Sequence, residues 1–144
     1  MIVGIVNKSN HPNPEYKTEG SAGLDVRADI DQSIMLKPRE RIAVSTGLHL
    51  ELPKNTEAQI RPRSGLALKH GITVLNTPGT IDSDYRGEVL VILINLSNSI
   101  FEIKNGERIA QLVISMVEKI SWQNTDKLTD TQRGDGGFGS TGKK

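Results

Sequence analysis

The chain has 144 residues, with 18 basic side chains, 17 acidic side chains and no cysteine. This length suits a single domain that buries roughly 70% of the surface its unfolded chain exposes. The balanced charge argues against a binding surface for nucleic acid or anionic membranes, and the lack of cysteine excludes disulfides, thiol nucleophiles and thiolate metal sites.

Short strands separated by turn residues dominate the predicted elements. In chain order they cover residues 1–6, 33–36, 41–46, 48–52, 57–61, 72–75, 88–95, 101–103 and 108–117. Residues 64–71 instead predict a helix of about two turns, with Ser64 as N-cap and Gly71 as C-cap. Many short strands and almost no helix predict an all-β sandwich or barrel.

The first ten residues hold a short apolar run without the basic region of a secretory signal. No apolar stretch reaches the length of a membrane span. We therefore expect a soluble, cytoplasmic protein.

The predicted strand at 88–95 indicates a subunit interface. Val89 to Ile94 are all apolar, although a strand with one wet face should alternate apolar and polar residues. One face can pack on the core, and the sequence offers almost no helix to cover the other. A second copy of the chain is the simplest cover, so we expect a homo-oligomer.

Gln111 interrupts an apolar row in the last predicted strand, between Ile109 and Val113. Its amide is either buried and satisfied by backbone or a partner subunit, or it contacts a ligand. An unpaired buried amide would cost about 1–3 kcal/mol. The pattern alone leaves both interpretations open.

Residues 121–144 are polar, rich in glycine and without periodicity. They predict a mobile C-terminal arm that follows a folded domain at 1–120. The tripeptide RGD at 133–135 matches an adhesion motif, but nothing in the sequence indicates export.

The end of the arm combines glycines with groups that bind phosphate. GFGSTGKK at 137–144 fits the spacing of a P-loop, but Lys144 stands where a metal-binding Ser or Thr belongs. Glycine-rich backbone, two hydroxyls and Arg133 still predict a wrap around phosphates. Phe138 is placed to stack on a planar group, so a nucleotide is the expected ligand.

Three further segments combine glycine with charge, at 21–28, 61–71 and 76–88. Asp25 stands in a turn-like context, where it is either an exposed loop carboxylate or a metal-related one. Ser64 either caps the helix or helps to bind an anion at its start. Asp82, Asp84 and Glu88 stand close together, although a tight turn needs only one of them.

Together these segments resemble a known family. In order, AGLDVRA (22–28), PRSGLA (62–67), NTPGTIDSDYRGEV (76–89), NGERIAQLVI (105–114) and RGDGGFGSTG (133–142) look like the five motifs of the trimeric deoxyuridine triphosphate nucleotidohydrolases, the dUTPases. The match spans residues 22–142 in order and at ordinary spacing, so it is far more specific than any single motif.

The resemblance implies a β jelly roll in a homotrimer, in which each active site takes residues from all three chains. It implies hydrolysis of dUTP to dUMP and pyrophosphate by water attack on the α-phosphorus, with Mg²⁺ as cofactor. Such a reaction limits uracil in DNA and supplies dUMP for thymidylate synthesis. The C-terminal arm is then expected to close over an active site of a neighbouring subunit.

The same resemblance implies the substrate contacts. The residues expected to bind the phosphates are Arg63, Ser64, Gly65, Gln111, Arg133, Gly139, Ser140 and Thr141. The residues expected to bind the uracil edge are Asn76, Gly79, Thr80 and Ile81, in a hairpin at 76–85, with Phe138 stacked on the ring. Tyr85 is expected against the deoxyribose, where a ribose 2′-hydroxyl would collide with its ring.

Asp82 is the expected catalytic residue, since by its motif it would orient and deprotonate the attacking water. An aspartate with an ordinary pKa of about 3.9 is a weak base at neutral pH. Alignment and charge neutralisation by Mg²⁺, Arg63 and Arg133 should therefore supply much of the rate. Asp25 is expected to hold the Mg²⁺ through water.

Two residues depart from the expected pattern. Pro78 removes a backbone donor near the expected base site, and Asp135 places a negative charge among glycines that face the phosphates. A deoxycytidine triphosphate deaminase is an alternative with a similar fold, but the Asp82 motif is of the hydrolase type. A module that grips a protein partner is a second alternative, and a nucleic-acid binder fits worst.

Overall fold

The structure, a computed structural model, describes residues 1–138. Gly139, Ser140 and Thr141, three of the predicted phosphate contacts, lie outside the described residues.

The described residues form eleven strands and one short helix, which confirms the all-β prediction. The strands are β1 (Gly4–Asn7), β2 (Leu24–Arg27), β3 (Ile34–Leu36), β4 (Arg41–Val44), β5 (Leu48–Glu51), β6 (Thr56–Arg61), β7 (Ile72–Val74), β8 (Gly79–Asp82), β9 (Val91–Asn95), β10 (Phe101–Ile103) and β11 (Arg108–Met116). The helix, α1 (Ser64–His70), lies between β6 and β7.

The strands form four antiparallel sheets. Their orders are β2-β11-β6-β8, β4-β9-β7, β1-β5 and β3-β10. Inward-facing side chains from these sheets make one core, whose largest fully buried apolar members are Leu36, Ile72, Leu93, Ile103, Ile109, Val26, Val44, Val74 and Val91. The four-stranded sheet therefore has one face on the core and one face turned outward, as alternating side chains require.

Two strands were not predicted from the sequence, β2 and β8. The prediction that Asp25 stands in a turn-like context is therefore wrong, because Asp25 lies within β2. Both strands are four residues long and contain an aspartate, a residue depleted in strands. Pairing with β11 and β6 stabilises them, and that long-range contact leaves no local signal.

The predicted hairpin at 76–85 is also not observed. β7 pairs with β9, whereas β8 pairs with β6, so the chain crosses from one sheet to another between them. The ladder of β8 begins at the pair Gly79 and Ile60. Pro78 precedes that ladder, and its missing N–H therefore removes no bond from it.

The helix differs from the prediction at its start and agrees at its end. Arg63 is the N-cap, with an extended backbone and no side-chain cap bond, and Ser64 is the first helical residue. The prediction of Ser64 as N-cap is therefore wrong. Gly71 ends the helix with φ 66° and ψ 20°, a left-handed conformation that favours glycine.

One chain fully buries only one of the two apolar faces of β9. Val91, Leu93 and Asn95 are buried, whereas Ile92 and Ile94 on the opposite face are only half-buried. A half-exposed apolar face is typical of an interface, so the expected homo-oligomer stays a prediction with this face in its favour.

The regular structure ends at Met116, and the backbone N–H of Val117 donates to the Asn55 carbonyl at 2.9 Å. Side chains at 118–135 are exposed. The division into a domain at 1–120 and an arm at 121–144 stays a prediction. Within the described part of the chain, no helix combines the length and apolarity needed to cross a membrane.

Candidate active site

Predicted site residues lie on the outward face of the four-stranded sheet. On β11, Gln111 is the register partner of Asp25 on β2 and of Arg61 on β6. At the other end of the sheet, Asp82 on β8 is opposite Glu57 on β6. Directly paired residues of antiparallel strands point to the same face. Glu57 and Arg61 are four positions apart on β6, so both sets of pairs lie on the outward face.

The Asp25 carboxylate lies between two arginines. Arg63 Nε donates to Oδ1 at 2.9 Å, and Arg108 Nη1 donates to Oδ2 at 2.8 Å. Arg63 Nη1 also donates to the Arg108 carbonyl at 3.0 Å. These charge-assisted hydrogen bonds fix the carboxylate and gather two guanidinium groups at one place, which suits an anionic ligand.

Arg108 was not predicted as a site residue. Arg108 and Gln111 are three positions apart, and regular alternation would place them on opposite faces of β11. The pairing of β11 with β2 shifts register between Arg108 and Ala110, and Ile109 and Ala110 are both buried there. This irregularity brings Arg108 to the side of Asp25, and no sequence pattern reveals such a bulge.

Gln111 bonds the backbone on one side and lies against a glycine on the other. Its Nε2 donates to the Pro62 carbonyl at 2.9 Å. A Cβ at Gly23 would overlap the Gln111 Oε1 and lie 3.2 Å from its Cδ. Gly23 therefore leaves the space that the Gln111 amide occupies.

Ser64 and Gly65 are exposed and follow Arg63 in the first turn of α1. The first bond of this helix runs from the Ala67 N–H to the Arg63 carbonyl at 3.0 Å. The N–H groups of Ser64 and Gly65 precede that bond, so they have no partner within the helix. The predicted phosphate contacts Arg63, Ser64, Gly65 and Gln111 are thus brought together with Asp25.

A cavity of about 190 Å³ lies beside β8. It is lined by Thr80, Ile81, Asp82, Tyr85, Glu88, Val89 and Leu90. In the sheet order β8 is an edge strand, so alternate backbone N–H and C=O groups point away from β6. Asn76 packs against the start of this strand, because a Cβ at Gly79 would lie 3.2 Å from its Nδ2. The residues predicted to bind the uracil edge therefore lie together.

Asp82 is exposed at the end of β8. It borders the 190 Å³ cavity and also a second one of about 620 Å³, which Ser83 and Asp84 line as well. The Asp82 carbonyl accepts a hydrogen bond from the Tyr85 N–H at 3.1 Å, which closes the turn after the strand. A carboxylate in this position can reach water in either cavity.

Glu88 was not predicted as a site residue, although its charge stands out beside Asp82 and Asp84. Its Oε1 accepts hydrogen bonds from the N–H groups of Thr46 at 3.0 Å and Gly47 at 2.8 Å, and from the Ser45 hydroxyl. Burial raises the pKa of Glu88, but these hydrogen bonds outweigh burial and hold the pKa below its ordinary value. The carboxylate is therefore ionised at neutral pH.

The described residues could hold Mg²⁺ only if a bound ligand supplied some of the metal's oxygen ligands. Among residues 1–138, no three His, Asp or Glu side chains gather in a way that could hold a metal ion. Asp25 offers one carboxylate, whose two oxygens each keep a lone pair beside the arginine bonds. Because Mg²⁺ takes six oxygens and retains water readily, phosphate oxygens and water would complete its shell.

The described part of the arm remains apart from the sheet. Arg133 Nε donates to the Gly136 carbonyl at 2.9 Å, and the Phe138 ring is fully exposed. Hydrogen bonds described for residues 118–138 join arm residues to one another. Arg133 and Phe138 are thus not brought to the other predicted contacts.

A wide gap separates the two groups on the sheet. Asp82 is level with Ser115 of β11, four residues from Gln111, and β8 is three strand spacings from β2. Standard strand dimensions therefore place Asp82 about 20 Å from Asp25. One chain does not join the Asp25 group to Asp82.

Solved structures with this fold include two phage enzymes. A mutant dUTPase of Staphylococcus bacteriophage 80alpha, solved with dUpNHpp, aligns over 98% of both chains with a TM-score of 0.89 and 22% identity. A mutant dUTPase from phage phi11 of S. aureus, described for its coordination of a structural Mg(II) ion, covers 90% of this chain and 100% of its own. Its TM-score is 0.81 at 18% identity. At these identities the likeness shows the fold.

Relatives in sequence are much closer. A protein named deoxyuridine 5'-triphosphate nucleotidohydrolase from Cytophaga hutchinsonii is 60% identical over 141 residues, 98% of this chain and 92% of the relative. A protein of the same name from Treponema denticola is 63% identical over 129 residues, 90% of each chain. The family model described as dUTPase matches residues 9–142. The chain therefore belongs to the dUTPase family.

Proposed function

We propose that this protein hydrolyses dUTP to dUMP and pyrophosphate, as a homotrimer whose active sites are shared between chains. The observation that carries the proposal is the division of one sheet face into two groups, a cationic group around Asp25 and a cavity beside Asp82. The first suits a triphosphate and the second suits a nucleoside. Each group would be half of a dUTP site.

The cationic group would bind the phosphates. Arg63, Ser64, Gly65 and Gln111 offer a guanidinium, a hydroxyl, backbone N–H groups and an amide next to one another. Hydrogen bonds from charged donors are the strong ones for phosphate oxygens. Arg108 would hold Arg63 and the carboxylate in place and would add a second positive charge.

Asp25 would hold Mg²⁺ through water, beside the phosphates. When bound, the ion neutralises charge on the triphosphate and favours attack at the α-phosphorus. Both carboxylate oxygens of Asp25 are fixed by arginines, so they offer a rigid pair of acceptors for metal-bound water.

The edge of β8 would bind the uracil. Uracil presents a donor between two acceptors along one edge, and an edge strand offers the complementary C=O and N–H groups. The backbone of Gly79, Thr80 and Ile81 would make these bonds, and the Asn76 amide would contact the base from the same end. The backbone on one side of this slot would leave no room for the methyl group of thymine.

The sugar and the reacting phosphorus would lie next to Tyr85 and Asp82. The Tyr85 ring lines the cavity and would collide with a ribose 2′-hydroxyl. The exposed Asp82 carboxylate would orient the attacking water and accept its proton. General-base help of this kind contributes about 10²–10⁴-fold, so alignment of water, phosphorus and leaving group would supply the remainder.

The distance of about 20 Å between Asp25 and Asp82 in one chain supports an active site that is shared between chains. A nucleotide held by Arg63 and Gln111 of one subunit would therefore meet Asp82 of a neighbour. The arm of a third subunit would close over it, with Phe138 on the uracil and Arg133 on the γ-phosphate. Gly139, Ser140 and Thr141 would add donors to the same phosphate. The arm at 121–144 would thus serve catalysis, and the domain at 1–120 would serve assembly.

We further propose a cytoplasmic enzyme without stable binding to nucleic acid or membranes, since the charge is balanced at +1. In this setting dUTP hydrolysis would keep uracil out of DNA and would supply dUMP for thymidylate synthesis.

Two assays test the proposal. The first measures pyrophosphate release from dUTP, dCTP, dTTP and UTP with Mg²⁺, and the second measures ammonia release from dCTP. We expect pyrophosphate from dUTP alone at a high rate, and a trimer by sedimentation. Ammonia from dCTP would identify a deaminase. Pyrophosphate from none of the nucleotides would leave a binding module, and a monomer with full activity would contradict the shared site.

A further inference from the structure

Gly87 and Glu88 hold the Tyr85 side chain in place, and together they form the support of its ring. The Tyr85 Oη donates to the Glu88 carbonyl at 3.0 Å. The ring passes directly over Gly87, where a Cβ would overlap the ring's Oη and Cζ and would lie 2.8 Å from Cε2. Any side chain at 87 would therefore displace the ring.

Glu88 is in turn hydrogen-bonded to residues 45–47. The hydrogen bonds to its Oε1 from Ser45, Thr46 and Gly47 hold the turn between β4 and β5 against the segment after β8. The neighbouring Val89 N–H donates to the Leu48 carbonyl at 2.8 Å, which continues the same attachment. The Glu88 carbonyl that receives the Tyr85 hydroxyl is thus fixed from both sides.

Steric discrimination needs this rigidity. Tyr85 is 46% exposed, so packing by its neighbours alone leaves the ring room to swing outward. A ring that yields by about 1 Å would admit a ribose 2′-hydroxyl, and errors of that size in a supporting group alter selectivity strongly. The hydrogen bond to Glu88 and the close contact with Gly87 remove that freedom.

We infer that Gly87 and Glu88 are positioning residues that set the preference for deoxyribose over ribose, because they hold the Tyr85 ring at the sugar. The inference rests on the proposed function, in which Tyr85 contacts the sugar. Both residues would act through the Tyr85 ring, although Glu88 also lines the cavity beside β8. Gly87 provides the space under the ring, and Glu88 provides both the acceptor for the hydroxyl and the anchor to residues 45–47.

The ratio of kcat/KM for dUTP to kcat/KM for UTP measures this preference. Gly87→Ala should lower the ratio at least about fivefold, in the same direction as Tyr85→Ala. The glycine has no positive φ in this structure, so alanine strains the ring contact and not the backbone. Gly20→Ala is the matched control, since nothing lies within 4 Å of a Cβ there.

Two substitutions at 88 separate positioning from stability. All three bonds to the carboxylate converge on Oε1, and a glutamine offers the same oxygen. Glu88→Gln should therefore keep the dUTP preference, whereas Glu88→Ala should lose it. A general loss of folded protein would lower both activities together and leave their ratio unchanged.

The outcomes distinguish this inference from the proposed function. If the wild-type protein does not hydrolyse dUTP, the proposed function fails. If it does so and Tyr85→Ala loses preference while Gly87→Ala and Glu88→Ala keep the wild-type ratio, the support has no role in selectivity. An unchanged ratio in Tyr85→Ala would also overturn the inference. For a variant with too little turnover, calorimetric binding of dUMP against UMP measures the sugar preference in binding instead, and the same direction of change is expected.

Discussion

Arg108 and Gln111 are three positions apart on β11, and yet both meet Asp25. Gln111 does so as its register partner, and Arg108 does so through a hydrogen bond of 2.8 Å. The irregularity after Arg108 makes this possible, since an unbroken strand would turn one of them inward. The proposed phosphate-binding group therefore depends on this irregularity in the pairing of β11 with β2.

Arg108→Met should weaken binding of the magnesium–dUTP complex. The variant removes a charged hydrogen bond to Asp25 and a positive charge near the proposed phosphate site, so KM should rise roughly tenfold. Stability should change by less than about 1 kcal/mol, because the Arg108 side chain is 42% exposed. Steady-state kinetics and chemical denaturation measure the two effects.

Arg61→Met controls for a general loss of charge. Arg61 is the register partner of Gln111, but its guanidinium donates to Gln59 at 2.9 and 2.6 Å and not to Asp25. We expect KM within about threefold of the wild-type value, since exposed charges have small effects. Equal increases in KM for both variants would show that net charge, and not the support of Asp25, determines affinity.

Gly23→Ala should displace the Gln111 amide without harm to the fold. The added Cβ meets the far end of a flexible side chain, so the free energy of unfolding should change by less than about 1 kcal/mol. If Gln111 binds the phosphates, kcat/KM for dUTP should fall at least about tenfold. Gly20→Ala, which meets nothing, should keep the wild-type value. Full activity in Gly23→Ala would remove Gln111 from the site.

Asp82→Asn should lower kcat by at least about a hundredfold and leave the dissociation constant for dUTP nearly unchanged. The amide keeps the shape of the carboxylate but does not accept the proton of water. Asp84→Asn, two residues further on and also exposed, is the matched control and should retain kcat. Single-turnover kinetics with a separate binding measurement test this. Wild-type kcat in Asp82→Asn would exclude its role as base.

The sequence predicted the strands whose apolar runs face the core, and it failed where pairing partners far along the chain decide the structure. β9 and β11 carry long apolar runs, so hydrophobic pattern alone reveals them. β2 and β8 are short and polar, and they exist because β11 and β6 offer open edges. The same reason explains why Asp25 looked like a turn residue.

The candidate site shows a similar limit. Asp82, Gln111 and Arg63 stand in motifs whose residue types indicate phosphate chemistry, so resemblance was sufficient to name them. Arg108 requires knowledge of a bulge, and Glu88 requires knowledge that residues 45–47 lie against it. Such long-range contacts appear only when the fold is known.

Removal of residues 133–144 should leave assembly intact and reduce catalysis severely. The described residues after Val117 add no strand and no buried side chain, so the domain should lose little stability without them. Turnover should fall at least about a hundredfold, because the proposed closure over the nucleotide would exclude water and order the phosphates. Sedimentation and a pyrophosphate assay measure both. Loss of the trimer would show that the arm serves assembly.

Glu88→Gln should reduce the dependence of stability on acid. The pKa of Glu88 is held below its ordinary value of about 4.5, so the folded state favours the ionised form. Its contribution to stability is then fully present above that ordinary pKa and is lost as the pH falls through the lower folded pKa. Denaturant unfolding at fixed protein concentration, from about pH 7 to about pH 3.5, should show wild type more stable at neutral pH and the difference shrinking with acid. Glu118→Gln in the exposed segment after β11 controls for the substitution itself. A difference that stays constant across this range would mean that the hydrogen bonds from Ser45, Thr46 and Gly47 do not favour the charged carboxylate.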